Sequence, residues 1–367
     1  MSMAHFEIDT PALLIDQAAL EDNIRAMRDL CKGFPARLRP HTKTHKSPLI
    51  AQLQQRAGAT GLCCAKLGEA ERFASAGLND IMVTTPLVGQ LKLERLAALI
   101  PSVNMTVVAD NLAAIAPLAD VAHSAGRLLD IVVEVDVGQG RCGVPPGAAA
   151  TAIVQEISRH PSLRFAGLQG YQGKLQGLVS YEERRRGVKE AMEKLQTSAD
   201  DVRRAGFDIR ILTGGGSGTL PIDLELGVLN ELQPGSYVFM DASYIQIGWD
   251  ADGNPPPFRS ALTVLTTVTS RPADDRAVVD AGWKSVSCDS GPPIVKDRPD
   301  LTFEFAGDEH GIVRDRSAGP LDLRLGETLE LIPSHCDTTV NLHDRYVVLR
   351  EGRIEDTWDV ATRGLSF

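Results

Sequence analysis

The sequence has no apolar run long enough to span a membrane; its longest, around LLDIVVEV, is strand-sized. Its start, MSMAHFEIDTPALLID, lacks a basic segment leading into an apolar core, so a secretion signal is not expected. Cysteine is sparse: six are scattered along 367 residues, with Cys63 and Cys64 adjacent and no CxxC pair. That pattern argues against a disulfide framework and a structural zinc site, and a reducing cytoplasm is the expected setting. Positive charge is in deficit as well. The formal net charge is −10, which argues against nucleic acid as a partner, because that interaction depends on neutralising phosphates with Lys and Arg.

What is present is a rhythm. From residue 36 a short apolar run, a polar turn and an amphipathic stretch follow one another repeatedly. The apolar runs are ARLRPHTK, TGLCCAK, DIMVTT, NMTVVAD, LDIVVEVD, RFAGLQGY, IRILTGGG and GSYVFMD. Helix-like segments lie between most of them. One, SYEERRRGVKEAMEKLQTSADDVRRAG, sets apolar residues at helical intervals amid dense charge. Eight strands alternating with helices predict a parallel sheet closed into a (β/α)8 barrel, an α/β fold, with an open doubly wound sheet as the alternative. The last crossover, 215–234, leaves little room for a regular helix. After about residue 250 the texture changes. NPPP at 254–257 is a breaker-rich joint. Beyond it ALTVLTTVTS, RAVVDAG, LTFEFAG, GETLELIPS and RYVVLREG read as strands divided by turns. The expected organisation is an N-terminal segment, 1–25, joining the β domain, a barrel over 26–248, and a mostly-β domain over 249–367.

The cations the chain does possess cluster in RPHTKTHKS, Arg39 to Ser47. Lys43 ends the first predicted strand, and barrel active sites collect at the C-terminal ends of strands. A lysine there can form a Schiff base, and cationic neighbours at His45 and Lys46 would lower its pKa and favour the free amine. A solvated rim lysine is the plainer reading. TGGGSGT, Thr213 to Thr219, follows a late strand; its backbone N–H groups and the hydroxyls of Ser217 and Thr219 can converge on a phosphate, or it is a flexible turn. It is not a nucleotide P-loop, since no Lys-Ser/Thr follows the glycines. VDVGQGRCG supplies Arg141 with its fixed fork of donors, or is an ordinary turn with an arginine. In PSHCDTTVNLHD, read as a strand, His335 and Asp337 share a face and Cys336 faces away. An imidazole and a carboxylate that converge suit a divalent metal with open positions, or form a surface hydrogen-bonded pair.

Taken in order, RPHTKTHKS, GLCCAKLGEAE, VDVGQGRCGV, GYQGKLQ, TGGGSGT, ELQPGSYVFMD, VVDAGWKS, DEHGIV and PSHCDTTVNLHD resemble metal-activated pyridoxal-phosphate enzymes of alanine-racemase-type fold. The resemblance is to D-threonine and 3-hydroxy-D-aspartate aldolases, more distantly to D-serine dehydratases, and covers nearly the whole chain. It implies a barrel plus a β domain, in a homodimer. It makes Lys43 the Schiff-base lysine, puts Arg141 at the cofactor's phenolic oxygen and gives Tyr171 a cofactor contact. Gly216, Ser217, Gly218 and Thr219 fall at the phosphate, while Gln233, Gly235, Ser236 and Tyr237 return to the cofactor's edge. His335 and Asp337 become metal ligands, for Mn²⁺ or Mg²⁺ before Zn²⁺, and His-x-Asp sides with the aldolases, where dehydratases show His-x-Cys. Two positions depart from the family pattern: Gly177 stands where the aldolases carry a histidine after YxGxxQ, and Ala65 where a glutamine follows the cysteine pair. The implied activity is retro-aldol cleavage of a small D-3-hydroxy amino acid to glycine and an aldehyde, with metal hydroxide, His45 or another group as base. The alternatives are a dehydratase, in which Lys43 takes the α-proton, and a non-catalytic pyridoxal-phosphate carrier, which would tend to be a lone barrel.

Overall fold

A computed structural model describes residues 8–367. The chain opens with β1 (Ala12–Asp16) and α1 (Gln17–Cys31), whose first turn is capped by the Asp16 carboxylate accepting from Ala19 N. Then follow β2 (Arg37–Leu38), α2 (Pro48–Arg56), β3 (Leu62–Cys64), α3 (Leu67–Ser75), β4 (Asp80–Val83), α4 (Gln90–Leu99), β5 (Asn104–Ala109), α5 (Ile115–Ser124), β6 (Leu129–Glu134), α6 (Ala148–Ser158), β7 (Leu163–Gly170), α7 (Tyr181–Arg204), β8 (Ile211–Gly214), α8 (Leu220–Leu226) and β9 (Glu231–Leu232). Strands β2 to β9 form one parallel sheet in the order β2-β9-β8-β7-β6-β5-β4-β3. It closes where Thr42 N donates to Cys63 O and Cys63 N to Pro40 O, each at 2.8 Å, bridging His41 to Cys63.

Side-chain alternation explains the two layers. In β6, Ile131 and Val133 join the main core under the helices, while Val132 points into the barrel with Cys63, Met82, Val108, Ala166 and Ile211. Helix α7 buries Val188, Met192, Leu195, Ala199 and Val202 along one stripe, starts at the Ser180 cap with Glu182 and Glu183, and ends in Arg203 and Arg204, matching its dipole.

The expected eighth strand, GSYVFMD, is corrected: the strand is β9, and Ser236–Val238 is a single 3₁₀ turn. Pro234 offers no N–H to continue a ladder. The run Tyr237-Val238-Phe239 is instead buried, with Asn23 of α1 donating to Val238 O at 3.0 Å. The crossover thought too short for a helix does hold one, the seven-residue α8.

The remainder comprises α9 (Ala242–Ile245), β10 (Leu262–Ala273), β11 (Arg276–Val279), β12 (Ile294–Val295), β13 (Leu301–Phe305), β14 (Gly311–Asp315), β15 (Thr328–Ile332), α10 (Cys336–Val340), β16 (Arg345–Arg350) and β17 (Arg353–Asp359). A second sheet runs β13-β14-β11-β10-β1-β16-β17, with β15 also on β10 and β12 on β15. Strand β1 lies antiparallel to β10 and parallel to β16; residues 1–7 of the N-terminal segment lie outside the described residues. The expected edge at 25/26 falls inside α1. Among the described residues no helix is long and apolar enough to cross a membrane.

Candidate active site

A pocket of about 220 Å³ opens at the C-terminal ends of the barrel strands, and Lys43 lines it just past the His41–Cys63 bridge. The lysine side chain keeps 43 % exposure because it faces this pocket. Its Nζ lies 2.8 Å from Asp337 Oδ2. The Asp337 carboxylate holds the ammonium well above the usual lysine range, against the effect of burial. This reverses the expectation that cationic neighbours would lower the Lys43 pKa. Lys46 is neutralised by Glu69 at 2.7 Å. His41 and His45 are uncharged near neutrality, because burial pushes each down to about 3.

The glycine loop after β8 reaches the same pocket through Gly216 and Ser217, and the chain after β9 through Gln233, Gly235 and Ser236. Gly235 must be glycine: a Cβ there would sit 2.6 Å from Thr44 Oγ1 and 3.1 Å from His41 O. Ser217 Oγ accepts from Tyr237 N at 2.9 Å. Arg141 lies over the Tyr171 ring, 5.8 Å from its centroid, and both line the pocket.

Three expected residues are turned elsewhere. Thr219 Oγ1 donates to Asp223 Oδ2 at 2.6 Å and accepts from Gln176 Nε2 at 3.0 Å, so it braces the loop from behind. Gly218 N donates to Gln176 Oε1 at 3.0 Å, which occupies the N–H expected to face phosphate. The Tyr237 side chain is buried against Phe258 with its hydroxyl held by Gln54, leaving only its backbone beside Ser217. His45, expected as an acid/base group, is also withdrawn: it is fully buried, packs edge-on to Phe73 and accepts from Ser47 N through Nδ1. Gly177 is exposed, and a Cβ on it would meet nothing within 4 Å. Ala65, by contrast, lines the pocket.

His335 and Asp337 converge, but not on a strand. His335 precedes α10 and Asp337 lies in its first turn, with Cys336 fully buried. His335 Nε2 is 3.9 Å from Asp337 Oδ1, and its Nδ1 is 2.6 Å from Asp289 Oδ2, which orients the ring. Burial alone would raise the Asp337 pKa, but Lys43 and His335 outweigh it and hold the carboxyl well below its usual range. Among the described residues no group of three or more His, Cys, Asp or Glu side chains could hold a metal.

Sequence reasoning missed several lining residues, among them His41, Thr84, Gln169 and Tyr244. His41 lay within the cationic stretch and could have been flagged by its even spacing from Lys43. Tyr244 carried no signal, since it arrives on α9 after an irregular segment.

A parallel barrel with a lysine at its C-terminal face, a glycine loop reaching the same pocket and an appended β domain define a class of fold and site. Residues 15–243 match the family Alanine racemase, N-terminal domain, and the chain belongs to that family. Residues 261–349 match a Putative serine dehydratase domain. Over 98 % of its length the chain is 42 % identical to a D-threonine aldolase from Arthrobacter sp, covering 94 % of that protein. It is 40 % identical over its whole length to a 3-hydroxy-D-aspartate aldolase from Paracoccus denitrificans (strain Pd 1222), covering 95 % of it. The crystal structure of D-threonine aldolase from Filomicrobium marinum superposes with a TM-score of 0.94 at 40 % identity, over 98 % of this chain and 97 % of that one.

Proposed function

We propose that the chain is a pyridoxal-phosphate- and divalent-metal-dependent lyase that cleaves a D-3-hydroxy amino acid, D-threonine-like, into glycine and an aldehyde. The observation that carries this reading is the 2.8 Å contact between Lys43 and Asp337, which sets the pocket-lining ammonium beside a carboxylate–imidazole pair. The similarity to the two aldolases over the full chain supports the reaction class.

The pocket suits the cofactor. Ser217 and Ser236 line it beside Gly216 and Gly235, and Lys43 faces inward. The metal pair suits one ion: metal–ligand distances of roughly 2.0–2.2 Å are compatible with its 3.9 Å separation, and two protein donors leave positions for water and substrate. When bound, pyridoxal phosphate supplies an electron sink, and the metal at His335 and Asp337 a Lewis acid toward the 3-hydroxyl.

The chain's own groups do the rest. Ser217 and the backbone at Gly235 and Ser236 bind the phosphate, and Arg141, steadied over Tyr171, directs donors to the phenolic oxygen. Once the substrate amine has taken its place, the Lys43 amine stays beside Asp337. The 3-hydroxyl proton would pass to water at the pocket mouth as the Cα–Cβ bond breaks and the aldehyde leaves, and the Lys43 ammonium held beside Asp337 would return a proton to the α-carbon to give glycine. Asp289 fixes the His335 ring so that Nε2 stays turned to Asp337. A homodimer acting on a small D-amino acid completes this reading.

The test is product identity. Metal-supplied holoenzyme incubated with D-threonine should yield glycine and acetaldehyde; ammonia and a 2-oxo acid in their place would overturn the aldolase reading. Chelation should abolish turnover yet leave the absorbance of the lysine-bound cofactor, with Mn²⁺ or Mg²⁺ restoring activity.

A further inference from the structure

The opposite, N-terminal mouth of the barrel holds a second cavity, of about 720 Å³. In β/α barrels that face usually serves packing. Here it is lined by five arginines, Arg37, Arg39, Arg127, Arg164 and Arg210, against two carboxylates, Asp80 and Asp130. Counting Glu231, which pairs with Arg39 from within the barrel, five positive charges meet three negative, a local excess of two. The chain as a whole carries −10.

Strand register assembles the cluster. Arg37 opens β2, Asp80 opens β4, Asp130 and Arg164 face each other as paired residues of β6 and β7, and Arg210 directly precedes β8. Arg39 forms the floor. Its buried guanidinium reaches Asp80 Oδ1 at 2.5 Å and Glu231 Oε2 at 3.1 Å. Gly61 makes room for it, since a Cβ there would fall 2.2 Å from Arg39 Nη1.

The wall arginines are not neutralised one for one. Arg164 Nε, at 2.5 Å, and Arg210 Nη2, at 3.1 Å, converge on the same oxygen, Asp130 Oδ1. Two guanidinium groups therefore share one carboxylate and repel across it. Arg127 donates to the carbonyls of Ile100 and Pro101 and to Asn104 Oδ1, all uncharged acceptors. Arg37 has Glu231 at 3.7 Å and keeps 49 % of its side chain exposed. Guanidinium forks with unspent N–H groups match the oxygens of a phosphate, and a polyanion among them would offset the repulsion.

We propose that this cavity binds a small phosphate-bearing polyanion, held by Arg37, Arg127, Arg164 and Arg210 above the Arg39 floor. Its volume lies within the roughly 300–1,000 Å³ of small-molecule sites. It stands on the face opposite Lys43 and does not depend on the reaction proposed above.

The experiment is isothermal titration of inorganic pyrophosphate into pyridoxal-phosphate-loaded protein at low salt without divalent metal, so that the glycine loop near Ser217 is already filled. One equivalent should bind, more weakly as NaCl is added. Arg127→Ala and Arg210→Ala, both exposed positions whose fold is checked by circular dichroism, should each weaken binding at least about tenfold, as loss of a charge-assisted contact implies. Absence of binding, or binding that both variants leave unchanged, would overturn the site. Citrate bound as tightly as pyrophosphate would overturn the assignment to phosphate.

Discussion

Lys43 and Lys46 lie three residues apart in the same cationic stretch, yet their ammonium groups have different fates. Lys46 adopts a left-handed backbone, φ 48°, and its Nζ is buried against Glu69. Lys43 faces the pocket and Asp337. Borohydride reduction of the cofactor-loaded protein should therefore label the peptide at Lys43, and Lys43→Ala should remove the label and lower turnover by at least about 10²–10⁴-fold. A label at Lys46 would contradict this assignment. The contrast also shows where sequence reading ends. The types of residue in RPHTKTHKS pointed to the site, because few other segments gather so many cations. Which of them face inward depends on a turn and on partners far along the chain. Glu69 and Asp337 lie 23 and more residues away, so the pKa logic drawn from sequence neighbours came out with the wrong sign at Lys43.

Helix α8 and the glycine loop before it are joined by one carboxylate. Asp223, fully buried, accepts from Thr219 Oγ1 at 2.6 Å, and burial pushes it up to about 7. In the unfolded chain an aspartate titrates near 3.9. Between those values the folded state holds a proton that the unfolded state has lost, so this residue makes stability fall as pH rises from about 4 to about 7, at most about 1.4 kcal/mol per pH unit. Asp223→Asn should flatten that decline. Urea unfolding at pH 5 and pH 8 should thus show the variant gaining on the wild type at the higher pH; an unchanged difference would mean Asp223 is ionised when folded. At this scale the sequence was legible where period decides. The alternation of β4 to β8 with helices fixed their faces. It misled at GSYVFMD, whose aromatic and β-branched residues carry strand propensity but pack as a 3₁₀ turn after Pro234. It misled again at His335–Asp337, where two-residue spacing brings the pair together through a helical turn.

Across the whole molecule, the β-rich sheet reaches the barrel at a few buried polar points. The Tyr346 hydroxyl of β16 donates to His45 O at 2.6 Å, and Cys336 N donates to Asp241 Oδ2 at 3.2 Å. The first ties β16 to the segment carrying Lys43, and the second ties α10, which carries Asp337, to the cap of α9. Removing the hydroxyl in Tyr346→Phe leaves a buried carbonyl without that donor and should cost about 1–3 kcal/mol in chemical unfolding. The Lys43–Asp337 distance depends on the same junction, so D-threonine cleavage should fall more than stability alone accounts for at temperatures well below the midpoint. Cleavage at the wild-type rate would mean that the two halves are aligned by apolar packing. The composite nature of the site explains why the sequence displayed its parts better than its geometry: lysine and carboxylate come from opposite ends of the chain, 294 positions apart (337 − 43).

Seven of the eight joints around the barrel are ladders, and the eighth is the single His41–Cys63 bridge. A hoop fastened so unevenly should breathe at its clasp. Local opening costs least where few hydrogen bonds must break, so amide protons at Thr42 and Cys63 should exchange with deuterium sooner than those between β6 and β7. Lys43 follows β2 on one side of the clasp, with Gly235 and Ser217 beside it after β9 and β8, while Ala65 and Thr84 line the pocket from the other side, after β3 and β4. Pyridoxal phosphate fastened to Lys43 and packed against Ala65 and Thr84 would act as a tension member across the opening. Loading pyridoxal phosphate should therefore slow exchange at Thr42 and Cys63 and leave the β6–β7 amides as they were, making the group that enables the chemistry also the last stave that draws the barrel shut.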